Sequence, residues 1–213
     1  MEELLEGNFA GPTLCDALVI CTWNVRGLTD LKLYELILHM TTYDIDVLCI
    51  QETQISSSAV RYERGYTVIP SGSDEDSRSW AGVGIIVAPR CRHRIKSYKQ
   101  ISDRLCSLKL KVDGGILGLI SAYAPHNLHV LSDRFGFFSE LDHNYRRLSA
   151  NVAKLVIGDL NSRVGASLPG EEHIVGPHSF GRRAVHQVEV PNRDLLLEFC
   201  EGNTVLVANT FLP

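Results

Sequence analysis

A chain of 213 residues with 45% hydrophobic side chains can bury one good-sized core, which excludes an intrinsically disordered protein. Its 21 Lys and Arg against 25 Asp and Glu give a formal charge of −4, so it is no global polyanion-binding coat and any nucleic-acid site on it must be local. The six cysteines (Cys15, Cys21, Cys49, Cys91, Cys106, Cys200) make no C-x-x-C pair, and no apolar run approaches the ~20 residues of a membrane span. Reduced thiols, no zinc cluster, no membrane partner and an intracellular setting, nuclear or cytoplasmic, are expected. The N-terminus also lacks the pattern of a secretory signal.

Residues 1–17 are acidic and aperiodic and read as a loosely ordered arm; 18–213 read as one domain. LVICTWN (18–24) is short, apolar and β-rich, and the turn-prone Arg26-Gly27 follows it. Thr29 or Asp30 can cap a helix with Leu33, Tyr34, Ile37, Leu38 and Thr41 on one face, and IDVLCIQE (45–52) is a second buried strand. This β-α-β opening predicts an α/β protein with a layered core. YTVIP (66–70), AGVGIIVA (81–88), LCSLKLKV (105–112) and ILGLISAYAP (116–125) read as an antiparallel meander. A helix over 133–148 carries Phe135, Phe138, Leu141, Tyr145 and Leu148 on one face, and KLVIGDLN (154–161) is another strand. Residues 162–190 form a long loop. Asn192 can cap a third helix with Gly202 at its C′ position, and TVLVANTF (204–211) reads as a last strand.

The polar residues Asn24, Glu52, Tyr123, Asp159 and Asn161 all fall at the ends of apolar strands, where α/β layers build their sites. Singly, each has a plain structural reading as a turn cap, a solvated strand end or a core ring with a wet hydroxyl. Together they suit phosphodiester hydrolysis. A carboxylate beside an amide is what a hard divalent cation accepts, and an Asp with an Asn two residues on can orient a water and bond a phosphate. Other signals are weaker. Gly82-Val83-Gly84 has no third glycine and is no dinucleotide fingerprint. The dense basic run of Arg90, Arg92, His93, Arg94, Lys96 and Lys99 reads either as a charged edge that discourages strand pairing or as a DNA-backbone contact. His126-x-x-His129 lacks a further ligand and reads as a loop.

TWNVRGL (22–28), IQET (50–53), YAP (123–125) and GDLNSRVG (158–165), in that order, resemble the endonuclease/exonuclease/phosphatase superfamily of Mg²⁺-dependent phosphoesterases. They resemble in particular the endonuclease domain of non-LTR retrotransposons, which is similar to apurinic/apyrimidinic endonucleases; NRDLLLEFCEGNTVLVANTF (192–211) resembles the same branch. The resemblance spans Leu18 to Pro213 and implies a two-sheet α/β sandwich and a DNA-nicking hydrolase. It makes Glu52 the principal ligand of Mg²⁺ or Mn²⁺, supported by Asn24. Tyr123 would bond the scissile phosphate, Asp159 would orient and help deprotonate water, and Asn161 would contact a phosphate oxygen. The implied partners are DNA and, in a full-length element, a reverse transcriptase domain. Three departures stand out. Arg26 replaces an acidic residue of the apurinic-site enzymes, and His126 replaces an Asn of many relatives. Nothing after Asn161 resembles the family's C-terminal Asp or its Ser-Asp-His motif, and His173, His178 and His186 do not stand in for it. The expectation is therefore an incomplete domain whose last strands are missing, with impaired nicking and an unprotected apolar edge at LVICTWN. Two rivals remain: a non-catalytic pseudo-nuclease remnant that at most binds nucleic acid, and a phosphoesterase acting on inositol phosphates, lipids or nucleotides.

Overall fold

The computed structural model describes residues 17–72, 81–179 and 190–213, so His186 and the expected arm up to residue 16 lie outside the described residues. Strands β1 (Ile20–Asn24) and β2 (Val47–Gln51) pair in parallel across helix α1 (Asp30–Thr42). With β3 (Arg61–Glu63), β4 (Tyr66–Ser71) and β5 (Val83–Val87) they make a five-stranded sheet in the order β1-β2-β5-β4-β3. A 3-10 turn, Pro89–Arg94, leads to the second sheet. Its strands are β6 (Ile95–Ser102), β7 (Leu105–Val112), β8 (Gly115–Tyr123) and β9 (Ala153–Asp159), in the order β6-β7-β8-β9. Helix α2 (Leu131–Arg147) is the crossover between the parallel strands β8 and β9, and α3 (Asn192–Asn203) follows the long loop.

The two sheets stack face to face. Val47, Cys49, Ile69, Val83 and Ile85 of the first meet Cys106, Leu108, Leu110, Leu117 and Leu119 of the second. Helix α1 covers the outer face of the first sheet with Leu33, Leu36, Ile37 and Met40 against Leu48, Ile50, Val68 and Ile86. Helices α2 and α3 cover the outer face of the second with Phe137, Phe138, Leu141, Leu195 and Phe199. The result is an α/β sandwich in which β2 is buried along its whole length. Successive side chains of a strand point to opposite faces, so Leu48 and Ile50 meet α1 while Val47 and Cys49 meet the other sheet, and the strand reads as an unbroken apolar run. Burial raises the Cys49 and Cys106 thiols to about 12, and the five described cysteines are free.

Several sequence expectations need correction. The supposed meander is split: 66–70 and 81–88 belong to one sheet, 105–112 and 116–125 to the other, and β6 joins the second from the basic run. Strands buried on both faces show no alternation that would say which sheet holds them. In α1 the buried residues follow i, i+3, i+4, i+7 from Leu33, which leaves Tyr34 and Leu38 43% and 54% exposed; Tyr34 instead lies 4.5 Å under the Arg64 guanidinium. Phe135 of α2 is likewise exposed. The Asn192 side chain makes no cap bond: Pro191 holds the N-cap position of α3, and Gly202 lies inside the last turn. The left-handed residue that ends this helix is Thr204 (φ 54). Residues 204–211 form no strand. They fold back on the long loop through a Val175–Val207 bridge and bonds from Gly176 and His178 N–H to Thr210 Oγ1 and O, and Ala208–Thr210 is a 3-10 turn. Among the described residues no helix is long and apolar enough to cross a membrane.

Candidate active site

The parallel pairs β1/β2 and β8/β9 end side by side, with Asn24 opposite Gln51 and Tyr123 opposite Asp159. Five side chains meet there. Asn24 Nδ2 donates to Glu52 Oε1 at 2.7 Å and to Asp159 Oδ2 at 3.3 Å, joining the first sheet to the second. Tyr123 Oη donates to the same Glu52 Oε1 at 3.1 Å. Asn161 N–H donates to Asp159 Oδ1 at 3.0 Å, and its Nδ2 donates to Ala124 O at 2.7 Å. Among the described residues no donor reaches Glu52 Oε2. The sequence-predicted residues Asn24, Glu52, Tyr123, Asp159 and Asn161 are thus one cluster.

The local backbone bends sharply to place them. Glu52 (φ 55) and Asn161 (φ 47) are both left-handed, a conformation that costs a residue with a Cβ about 1–2 kcal/mol, Asn less than most. Glu52 is held in it by Gly27 N–H on its carbonyl at 2.6 Å and by the pairing of Thr53 N–H with Gly82 O. Gly82 leaves room for that pairing, since a Cβ there would fall 2.2 Å from Thr53 Oγ1. Burial, then the charge and bond of Glu52, push the Tyr123 hydroxyl up to about 12, so it stays a neutral donor.

Two residues beside the site escaped the sequence reading. Buried Gln51 accepts from Thr22 Oγ1 and donates to Ser121 Oγ, a cross-sheet link directly below the site. Arg104 stands over the Tyr123 ring at 5.2 Å and donates to Tyr123 O. Only the β7–β8 register, which sets Leu105 against Ala122, brings it there. Next to it a pocket of about 260 Å³ is lined by Ser102, Arg104, Pro125, His129 and Glu140. The His126 and His129 rings lie 4.3 Å apart beyond β8, and burial together with His126 and Arg104 lowers the His129 pKa.

The basic run is elsewhere. Arg90 bonds Asp46 at 2.7 Å and Asp44 at 3.0 Å at the start of β2, roughly 20 Å along the strand from Glu52 at ~3.3 Å per residue. Arg92 stacks over Tyr62, and Arg94 and Lys96 lie at the same remote turn and the start of β6. His173 pairs with Glu201 at 2.7 Å. Among the described residues no histidine hydrogen-bonds Glu52 or Asp159, and no three His, Cys, Asp or Glu side chains cluster as a metal site. The donors present are two carboxylates, an amide and a phenol. They fit a hard cation of the Mg²⁺ kind, which accepts one or two carboxylates and keeps water in its other positions.

Two stacked mixed sheets faced by helices make an α/β sandwich, the fold of endonuclease/exonuclease/phosphatase-type proteins. Among solved structures the chain is similar to the catalytic domain of Xenopus laevis APE2 (TM-score 0.59, 16% identity, 84% of this chain and 67% of that one). It is also similar to an AP endonuclease from Archaeoglobus fulgidus (0.55, 20%, 87% and 70%) and to the endonuclease domain of TRAS1, a telomere-specific non-LTR retrotransposon (0.54, 14%, 85% and 70%). In sequence it is 29% identical over 192 residues to craniofacial development protein 2 of Bos taurus and 28% identical to that of Tragulus javanicus, covering 90% of this chain. The chain spans about a third of the length of these curated relatives (31% and 32%). No protein-family model matches it.

Proposed function

We propose that the chain is a divalent-metal-dependent phosphodiesterase that nicks DNA, of the kind found in non-LTR retrotransposons, where a reverse transcriptase domain would use the nick. The observation that supports this most is the meeting of Glu52 and Asp159, from different sheets, on one Asn24 amide. Glu52 and the Asn24 amide oxygen would hold Mg²⁺ or Mn²⁺, which supplies charge neutralisation at a phosphate and a more acidic bound water. Tyr123, a neutral donor, bonds a phosphate oxygen; Asp159 orients the attacking water and accepts its proton; Asn161 donates to a second phosphate oxygen. DNA as substrate rests on the neighbours, which include AP endonucleases and a Neisseria 3′ phosphatase bound to a product DNA hairpin.

The lack of a histidine on either carboxylate among the described residues favours a weak enzyme. A missing general acid or base costs about 10²–10⁴-fold. The same observation supports the second reading, a remnant that binds cation and DNA without turnover. Supercoiled plasmid incubated with Mg²⁺, Mn²⁺ or EDTA tests both. Slow cation-dependent nicking that is abolished by Asp159→Ala is the expected result. Nicking that persists in EDTA or in Asp159→Ala overturns the mechanism, and cation and DNA binding with no nicking leaves the remnant. Hydrolysis of inositol phosphates without action on DNA would keep the fold and move the substrate.

A further inference from the structure

Asn192 is fully buried, and none of its polar groups is idle. Its Nδ2 donates to Pro125 O at 2.7 Å and to Asn161 O at 3.3 Å, its N–H donates to Asn127 Oδ1 at 2.8 Å, and its carbonyl accepts from Ser162 Oγ at 3.1 Å. The amide oxygen faces Nη1 of Arg134, a buried α2 arginine that also donates to the His129 and Val190 carbonyls. This contact fixes which way the amide turns, because the guanidinium has only donors. Both amide hydrogens are thereby committed, one to each of two chain segments. Pro125 lies two residues beyond Tyr123, and Asn161 lies two beyond Asp159. The bond to Asn161 O also holds the peptide that follows this left-handed residue, and hence the direction of its side chain.

We infer that Asn192 is a positioning residue for the reaction proposed above, on which this inference rests: one amide sets the spacing between the Tyr123–Pro125 and Asp159–Asn161 segments. Few other side chains can do so. Ala offers no donor, Ser offers one, and Asp would set a carboxylate oxygen against two carbonyls. The helix itself does not need this amide, because the N-cap position is held by Pro191.

The test compares Asn192→Ala, Asn192→Asp and the milder Asn192→Ser with Phe199→Leu in the 213-residue chain. Phe199 is buried on the same helix against the Tyr145 ring (5.4 Å), so its truncation matches the loss of stability without touching either segment. Misplaced catalytic groups cost about 10²-fold, so nicking kcat should fall by that order in Asn192→Ala and Asn192→Asp, and less in Asn192→Ser, with KM changed by under ~3-fold. Phe199→Leu should leave both constants alone. Amide hydrogen exchange reads the clamp without activity. The Ala124 and Asn161 N–H groups, bonded to Asp159 O and Oδ1, should exchange about tenfold faster in Asn192→Ser or Asn192→Ala, whereas Phe199→Leu should speed exchange along α3 alone. Unchanged kcat in the Asn192 variants, or exchange at these two amides no faster than in Phe199→Leu, overturns the inference. A wild type that never nicks, with variants whose two amides still exchange faster, overturns the proposed function and upholds the clamp.

Discussion

Glu52 combines an unfavourable backbone conformation with a carboxylate that has one oxygen doubly hydrogen-bonded and the other without a donor among the described residues. The proposed role of Glu52 as the cation ligand gives a test that needs no substrate. Binding to the folded state alone stabilises by RT ln(1 + [L]/Kd), about 1.4 kcal/mol at tenfold excess over Kd, so millimolar Mg²⁺ or Mn²⁺ should raise the melting temperature. Glu52→Gln keeps the shape and an acceptor for Asn24 and Tyr123, and should abolish that shift while the metal-free protein melts nearly as before. Absence of a shift in the wild type at any millimolar concentration would rule out a formed site. Tyr123 allows a second test at the same scale. Its hydroxyl is the donor proposed for the phosphate, so Tyr123→Phe should lower the nicking rate by about tenfold. An unchanged rate in Tyr123→Phe would contradict this assignment.

Strand β2 is anchored by a carboxylate at each end. At its start Asp46, nearly fully buried, accepts from Val19 N–H (2.9 Å), Arg90 Nε (2.7 Å) and Cys91 Sγ (2.9 Å). Burial alone would raise its pKa, but Arg90, Cys91 and the Val19 N–H outweigh it and hold the carboxyl below the usual range. A depressed folded pKa contributes stability that is present above the unfolded value of about 3.9 and lost as pH falls through the folded one. Asp46→Asn should therefore cost about 1–3 kcal/mol in urea unfolding at pH 7 and less at pH 3, while leaving the cation-induced thermal shift intact. An equal cost at both pH values would show that the charge is not what matters. The same strand shows what was legible in sequence. An apolar run that stops at a polar residue marks a buried strand end, which is how Asn24, Glu52, Tyr123 and Asp159 could be read one by one. The pairing of Arg90 with Asp46, 44 residues away, could not be read, so the basic run stayed open between a charged edge and a nucleic-acid contact. Nor could the sheet holding each strand, the phase of α1, or the turn of the Asn192 side chain away from its own helix be read, because long-range packing decides all three.

At the scale of the whole molecule the four sheet edges differ. β3 and β6 present Arg61, Glu63, Lys96 and Lys99, charges of the kind that discourage further pairing. β1 and β9 pack beside one another across the sandwich and present Trp23 and Leu155, 48% and 38% exposed, with no partner strand among the described residues. An apolar edge with bare N–H and C=O groups templates strand addition, so the chain should self-associate at tens to hundreds of micromolar. Sedimentation velocity across that range should show the sedimentation coefficient rising with concentration. Leu155→Lys puts a charge on the β9 edge without disturbing the buried faces, and should suppress the association while leaving the Mg²⁺-induced thermal shift unchanged. A wild type that stays monomeric throughout, or a Leu155→Lys variant that associates equally well, would show that these edges do not drive assembly.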